Sequence, residues 1–438
     1  MRLHQTVHGY ADGHRLLASS FPLKARDERL SLVLSDVSGP SALIGREGYL
    51  TGYPLVESGY YAFARTWAAP ELPRPGCVWT HTILIDFADL AVLPSLTALL
   101  DAFRRPRGDN LVSEYGKTFV VAVDTADRVK SAPLLSAETL RQTLAALYGH
   151  PKDRIVSSDS LSPATRELLV LEIWAQQWPR LRRSFRFCTL AYTDRSTENA
   201  AFDLQFLPPG DRAPRSRFAN AVDSSLVQIT SSTWLECAAN EISIYGSSGL
   251  SRSLRDAGGD ISSGREGFVP LCKMHLLLQD IAHRPTGVDE AIDLLTESSY
   301  LASALTIRRL IVNAALSRSE ELREHASNFV VNNLDLFDIQ SSDASQAKLG
   351  RMLWLHRPDA VKTLLEHGTS AAATLAKETL KHLSIEDLGN ACRKSPNLVQ
   401  PIVHNRPDVL SEKVFWEITS DIDRSLVLSI GKDEVAAT

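Results

Sequence analysis

Three histidines fall within eleven residues near the start of the chain: His4, His8 and His14, in the run Leu3-His4-Gln5-Thr6-Val7-His8-Gly9-Tyr10-Ala11-Asp12-Gly13-His14-Arg15. Imidazole titrates near neutral pH and binds metals readily, so this density can serve proton transfer or metal binding if the fold converges it. His4 and His8 have the i, i+4 separation of a zinc pair on a helix. Gly9 and Gly13, with Tyr10 between them, argue instead for a strand running into a turn. Alternation then places His4, Thr6, His8 and Tyr10 on one face and Gln5 and Val7 on the other. Ala11 to His14 reads as the turn, with Asp12 bonding nearby backbone and Gly13 accepting positive φ. Turn and strand chemistry account for these residues without catalysis. The competing reading is a metal-dependent hydrolase or nuclease with His4, His8, His14 and His81 or Asp12 as ligands. His81 lies beside Trp79 on a predicted strand, and strand pairing would bring it near His8.

A second concentration of chemistry is basic. Arg180, Arg182 and Arg183 surround Leu181 and precede the polar turn Thr193-Asp194-Arg195-Ser196. They read as a solvated helix end, with contact to an anion or nucleic acid as the alternative. The net charge of -5 gives no global attraction to nucleic acid, so a sensor of that kind would rest on these arginines and those of residues 250–265. Gly116-Lys117-Thr118 resembles the end of a phosphate-binding loop, but Leu111 stands where the first glycine is required. G-x-S-x-G, H-E-x-x-H and kinase signatures are missing, and no cofactor is expected. The five cysteines are scattered without a C-x-x-C pair, which suits reduced, buried thiols. No apolar run reaches membrane-spanning length and no signal-peptide core opens the chain, so a cytoplasmic protein is expected.

The elements that must position these residues divide into an α+β portion and an all-α portion. With 438 residues the chain is too long for one ordinary core. Residues 1–132 read as a strand-rich α+β domain, with strands at 30–34, 78–85 and 118–123, extended structure over 53–67 and a helix over 87–103. Residues 136–246 read as a second α+β domain. Ser136 caps a helix ending near Gly149, and Ser162-Pro163 opens another that Pro179 ends. Leu171, Trp174 and Trp178 recur along it at helical spacing and mark a packing face. Alternating segments at 184–190 and 201–206 read as half-buried strands. Residues 247–267, rich in Ser, Gly and Arg, read as a linker or mobile loop.

From residue 268 to the C-terminus, one amphipathic helical pattern follows another, at 268–282, 288–296, 300–317, 346–356, 360–367, 371–382 and 411–420. Two breaks are alike: His356-Arg357-Pro358-Asp359 and Asn405-Arg406-Pro407-Asp408 each place proline and then an acid at a helix start. Their recurrence suggests a HEAT-like helical repeat, an architecture that offers extended surfaces to protein partners.

The opening segment from Leu3 to Leu17 and the segment Arg74-Pro75-Gly76-Cys77-Val78-Trp79-Thr80-His81-Thr82-Ile83-Leu84-Ile85 together resemble the N-terminal domain of bacterial GTPase-associated proteins. Residues 136–246 more loosely resemble that family's middle domain. The resemblance implies a non-enzymatic adaptor or scaffold of a bacterial conflict (antiphage) system. It would act beside a GTPase or other NTPase encoded nearby, and with an effector protein. No catalytic residue carries over. His4, His8, Tyr10, Asp12, Gly13, His14, Trp79 and His81 stand as the candidate functional cluster, and Arg180, Arg182 and Arg183 as candidate anion contacts.

Overall fold

In a computed structural model, residues 1–106, 109–122, 135–197, 200–210, 214–244, 246–281, 284, 286–316, 323–333, 343–367 and 371–419 are described. The chain divides into two compact units, 1–275 and 276–438. Among the described residues the first is mixed α+β and the second all-α.

The strands of the first unit are β1 (Arg2–Tyr10), β2 (His14–Ser19), β3 (Tyr49–Leu55), β4 (Tyr60–Ala68), β5 (Val78–Asp86), β6 (Phe119–Val120), β7 (Ile155–Ser157), β8 (Phe187–Cys188), β9 (Leu204–Phe206) and β10 (Val222–Asp223). They form one sheet in the order β10-β7-β9-β8-β3-β4-β5-β1-β2, with β6 added to β1. From β8 through β3 to β2 neighbours are antiparallel, whereas β8, β9, β7 and β10 are parallel. One sheet therefore runs through both of the α+β segments read separately from the sequence. β5 lies between β4 and β1, paired on both sides and buried from Val78 to Ile85, which is why that stretch is apolar or β-branched almost throughout.

The helices are α1 (Ala25–Ser35), α2 (Phe87–Val92), α3 (Ala137–Gly149), α4 (Pro163–Gln176), α5 (Pro179–Ser184), α6 (Pro214–Arg217), α7 (Thr233–Ser243), α8 (Leu250–Gly258) and α9 (Phe268–Asp280). Ser136 and Ser162 cap α3 and α4 by accepting from Thr139 N and Thr165 N, as their sequence predicts. Leu171 and Trp174 of α4 are fully buried. Trp178 is buried too, but as the residue that leads into α5.

Several expectations fail for local reasons. Residues 30–34 are helical, not extended: α1 buries Asp27, Ser31, Leu34 and Ser35 at helical spacing and leaves Leu32 and Val33 exposed. The 87–103 helix is broken into α2 and a 3₁₀ segment at Leu96–Ala102, which Ser95 caps after Pro94. The strand expected at 118–123 is limited to β6, and its last residue lies outside the described residues. Residues 247–267 are not a linker. They hold α8, with Leu250 and Leu254 fully buried, and buried Arg265 pairs with Asp203 at 3.0 Å and donates to Leu147 O and Asp153 O.

In the second unit the helices are α10 (Gly287–Glu297), α11 (Leu305–Leu316), α12 (Glu324–Asn332), α13 (Asp343–His356), α14 (Pro358–His367), α15 (Ala371–Leu380), α16 (Ile385–Lys394), α17 (Val399–Asn405) and α18 (Lys413–Ile418). Helices near in sequence pack together, α10 on α11 and α12, α13 on α14 and α15, as in a helical repeat. Trp354, Val361, Leu388, Cys392 and Val403 fill its core. Both Arg-Pro-Asp breaks close in the same way, with Arg357 paired to Asp359 and Arg406 to Asp408 across the intervening proline. Arg406 also donates to Leu380 O and Lys381 O, tying its break to the end of α15.

Candidate functional site

The candidate histidines sit on β1, β2 and β5, and strand register decides what they can do together. Across β1 and β5, Val7 faces His81 and His8 faces Thr80. Residues directly opposite share a face, so His81 joins Gln5 and Val7, while His8 joins Thr6, Thr80 and Thr82. His8 and His81 are on adjacent strands but on opposite sides of the sheet. The expected convergence of the two does not occur.

The His8 face lies under α1. His8 and His14 stack with ring centroids 6.1 Å apart. Ser35 Oγ donates to Leu32 O at 2.8 Å, so at 2.8 Å from His14 Nε2 it accepts, which fixes the proton of that ring on Nε2. Thr80 Oγ1 donates to Ser35 O at 2.5 Å, and Arg195 donates to Leu34 O at 2.8 Å. These bonds satisfy carbonyls at the end of α1 and hold it to the sheet. Burial, and secondarily the neighbouring His14, lowers the pKa of His8 to about 3. Burial also lowers that of His14, against the opposing pull of Asp36. Both rings are neutral near pH 7. His4 bonds Ser20 O through Nδ1 at 3.1 Å and packs edge-on against Phe21 and Tyr60. Tyr10 lies under the Arg74 guanidinium at 5.9 Å. Asp12 and Gly13 form the turn, with φ of 54° and 122°. Among the described residues no group of three or more His, Cys, Asp or Glu side chains can hold a metal ion, so the metal-dependent hydrolase reading has no ligand set.

The opposite face is built around His81. Arg104 N–H donates to its Nδ1 at 3.2 Å, so its proton is on Nε2 and is donated to Gln5 Oε1 at 2.9 Å. Gln5 Nε2 then donates to Lys117 O at 2.8 Å and Glu114 O at 3.1 Å. His81 is edge-on to Phe103 and Tyr115, and Tyr115 Oη donates to Arg104 O at 2.8 Å. Burial, reinforced by the charge of Arg104, lowers the pKa of His81 to about 3. With both nitrogens committed and the ring neutral, His81 braces Phe103, Arg104 and Tyr115 against the sheet. Trp79 has a related duty: its Nε1 donates to Glu71, and a Cβ on Gly9 would come within 2.3 Å of its ring. Gly9 and Trp79 therefore interlock β1 with β5.

Above this brace residues 104–106 and 114–119 line a half-open cavity of about 340 Å³, walled by Gln5, Arg104, Arg105, Tyr115, Lys117 and Phe119. Sequence reasoning missed Gln5, Arg104 and Tyr115: Gln5 is placed by carbonyls about 110 residues on, and Arg104 and Tyr115 by a bond to a buried histidine and a bond to each other that no local motif announces. Gly116-Lys117-Thr118 is reached here from a 3₁₀ segment (Asp109–Gly116) and leads into β6. That is the reverse of the strand-to-helix order of a phosphate-binding loop.

The three arginines read as a solvated helix end, with anion contact as the alternative, are separately engaged, and Arg182 is not solvated. Arg182 is 2% exposed, donates to Leu93 O at 2.8 Å and to Ala175 O, and lies over the Trp174 ring. It is a core residue, out of reach of a phosphate. Arg180 donates to Ile261 O at 3.0 Å, and Arg183 lies over Phe87 at 5.1 Å.

Residues 2–103 match the family model described as GTPase-associated protein 1, N-terminal domain type 1. The matched stretch carries β1 to β5, α1, both histidine faces and the Gly9–Trp79 interlock. No curated protein and no solved structure matches the chain. No described helix is long and apolar enough to cross a membrane.

Proposed function

We propose that this protein is a non-enzymatic adaptor of a bacterial conflict system, acting in the cytoplasm and coupling a separately encoded GTPase or other NTPase to an effector protein. The observation that carries the reading is the match of residues 2–103 to the GTPase-associated N-terminal domain. The chemistry of the histidines agrees with it. His4, His14 and His81 each bond within the fold, and burial keeps His8, His14 and His81 neutral. In this reading residues 136–246 correspond to the family's middle domain, and the all-α unit supplies the extended surface on which a partner docks.

The test is co-expression of the tagged protein with each NTPase encoded beside it, followed by affinity capture with GDP or a non-hydrolysable GTP analogue. The adaptor reading expects co-elution of one NTPase at fixed stoichiometry, with a preference for one nucleotide state. Separate elution of every neighbouring NTPase in both states, or a gene neighbourhood without any NTPase, overturns it.

A further inference from the structure

We propose that the cavity above the Gln5–His81 brace binds a small organic phosphate of nucleotide size, independently of the adaptor reading. Its volume of about 340 Å³ suits such a molecule. Three of its lining residues are cations, Arg104, Arg105 and Lys117, against one carboxylate, Glu114. Two of these cations are already paired. Arg105 Nη2 donates to both carboxylate oxygens of Glu71 at 2.6 and 2.7 Å, and Lys117 meets Glu114 at 2.9 Å. Arg104 differs: it is exposed, and its guanidinium makes no ion pair among the described residues.

What marks Arg104 as built for a ligand is the treatment of its backbone. The N–H is bound by His81 Nδ1 and the C=O by Tyr115 Oη, so two buried ring side chains fix the main chain of an exposed cation. His81 is in turn fixed by Gln5, which reaches the carbonyls of Glu114 and Lys117. One hydrogen-bonded chain thus sets the positions of Arg104 and Lys117 relative to each other. A guanidinium carried on a fixed main chain at the cavity wall can bind phosphate oxygens through paired N–H donors. Lys117, whose pairing with Glu114 is solvent-exposed and weak, can turn to the same anion. The apolar share of the lining, Ala102, Pro106, Tyr115 and Phe119, gives the organic part of the ligand a surface to cover.

Isothermal titration of the full chain at low salt with inorganic phosphate, AMP, ADP, GMP and GDP tests the assignment. At least one nucleotide should bind saturably and more tightly than inorganic phosphate, with affinity falling as salt rises. Arg104→Ala should weaken it ~10-fold or more while the thermal midpoint holds, and Arg104→Lys should recover part of the loss. Tyr115→Phe, which removes no charge, should weaken binding several-fold by freeing the Arg104 carbonyl. Absence of binding by all five probes at millimolar concentration overturns the proposal, as does an Arg104→Ala affinity within twofold of the unmodified chain. Inorganic phosphate binding as tightly as every nucleotide overturns the organic-ligand assignment.

Discussion

Acid should destabilise the first unit steeply, and His81→Leu should flatten that dependence. His81 has its pKa lowered from 6.5 to about 3 in the folded chain. Between those values the unfolded chain binds a proton that the folded chain refuses, so stability is retained above about pH 6.5 and lost as pH falls towards 3. The slope for one such group is ~1.4 kcal/mol per pH unit, which removes about 2 kcal/mol between pH 7 and pH 5. His8, lowered to the same range, removes a similar amount. Urea unfolding followed by tryptophan fluorescence reports mainly on this unit, because five of the seven tryptophans, Trp67, Trp79, Trp174, Trp178 and Trp234, lie within residues 1–275. His81→Leu leaves Gln5 Oε1 and Arg104 N–H without their partner, a loss of ~1–3 kcal/mol near pH 7. As the pH falls towards 5, the unmodified chain should lose its advantage over the variant at ~1.4 kcal/mol per unit. If the two chains instead run parallel from pH 7 to pH 5, His81 accepts its proton in the folded state and the brace is misassigned.

Three further outcomes follow from packing. Gly9→Ala drives a Cβ to 2.3 Å from Trp79 and should cost ~1–3 kcal/mol in a thermal melt; an unchanged midpoint would remove the β1–β5 interlock. Arg182→Lys cannot reproduce two divergent carbonyl bonds and the Trp174 stack, so it should lose ~3 kcal/mol or more in equilibrium unfolding. A lysine chain as stable as the parent refutes that account. Arg265→Leu removes the ion pair to the half-buried Asp203 and leaves Leu147 O and Asp153 O without their donor, which should cost ~1–3 kcal/mol, and a wild-type melting temperature would refute Arg265 as the anchor of this segment.

Where the sequence is explicit and where it is silent follows from what sets each position. The alternation of His4, Thr6, His8 and Tyr10 was legible because strand parity is local, and so were the serine caps of α3 and α4. α1 was not, because it rests on the sheet largely through polar partners: Asp27 accepts from Ser58 N, Ser31 meets Tyr53 Oη, and Ser35 meets Thr80 and His14. Leu30, Leu32 and Leu34 alternate as in a strand, although only Leu34 is fully buried. In 247–267 the signal was thin, two leucines four residues apart, and the element is secured by distant groups such as Asp203. Parity also explains the failed pairing of His8 with His81. Their strands are neighbours, as read, but a register offset of one residue puts them on opposite faces.

The family match stops at residue 103, and Arg104, Tyr115 and Lys117 follow directly. Gln5 and His81 lie inside the matched stretch, so the brace joins that stretch to a cavity wall supplied largely by the next segment. This division of labour recasts the histidines. They read first as the reactive groups of the chain, yet on the His81 face the ring spends both nitrogens on orientation, while the charge that can meet a ligand stands one residue beyond the matched frame. A chain with the same frame and a different 104–119 segment should therefore keep strands β1 to β5 but lose the anion site.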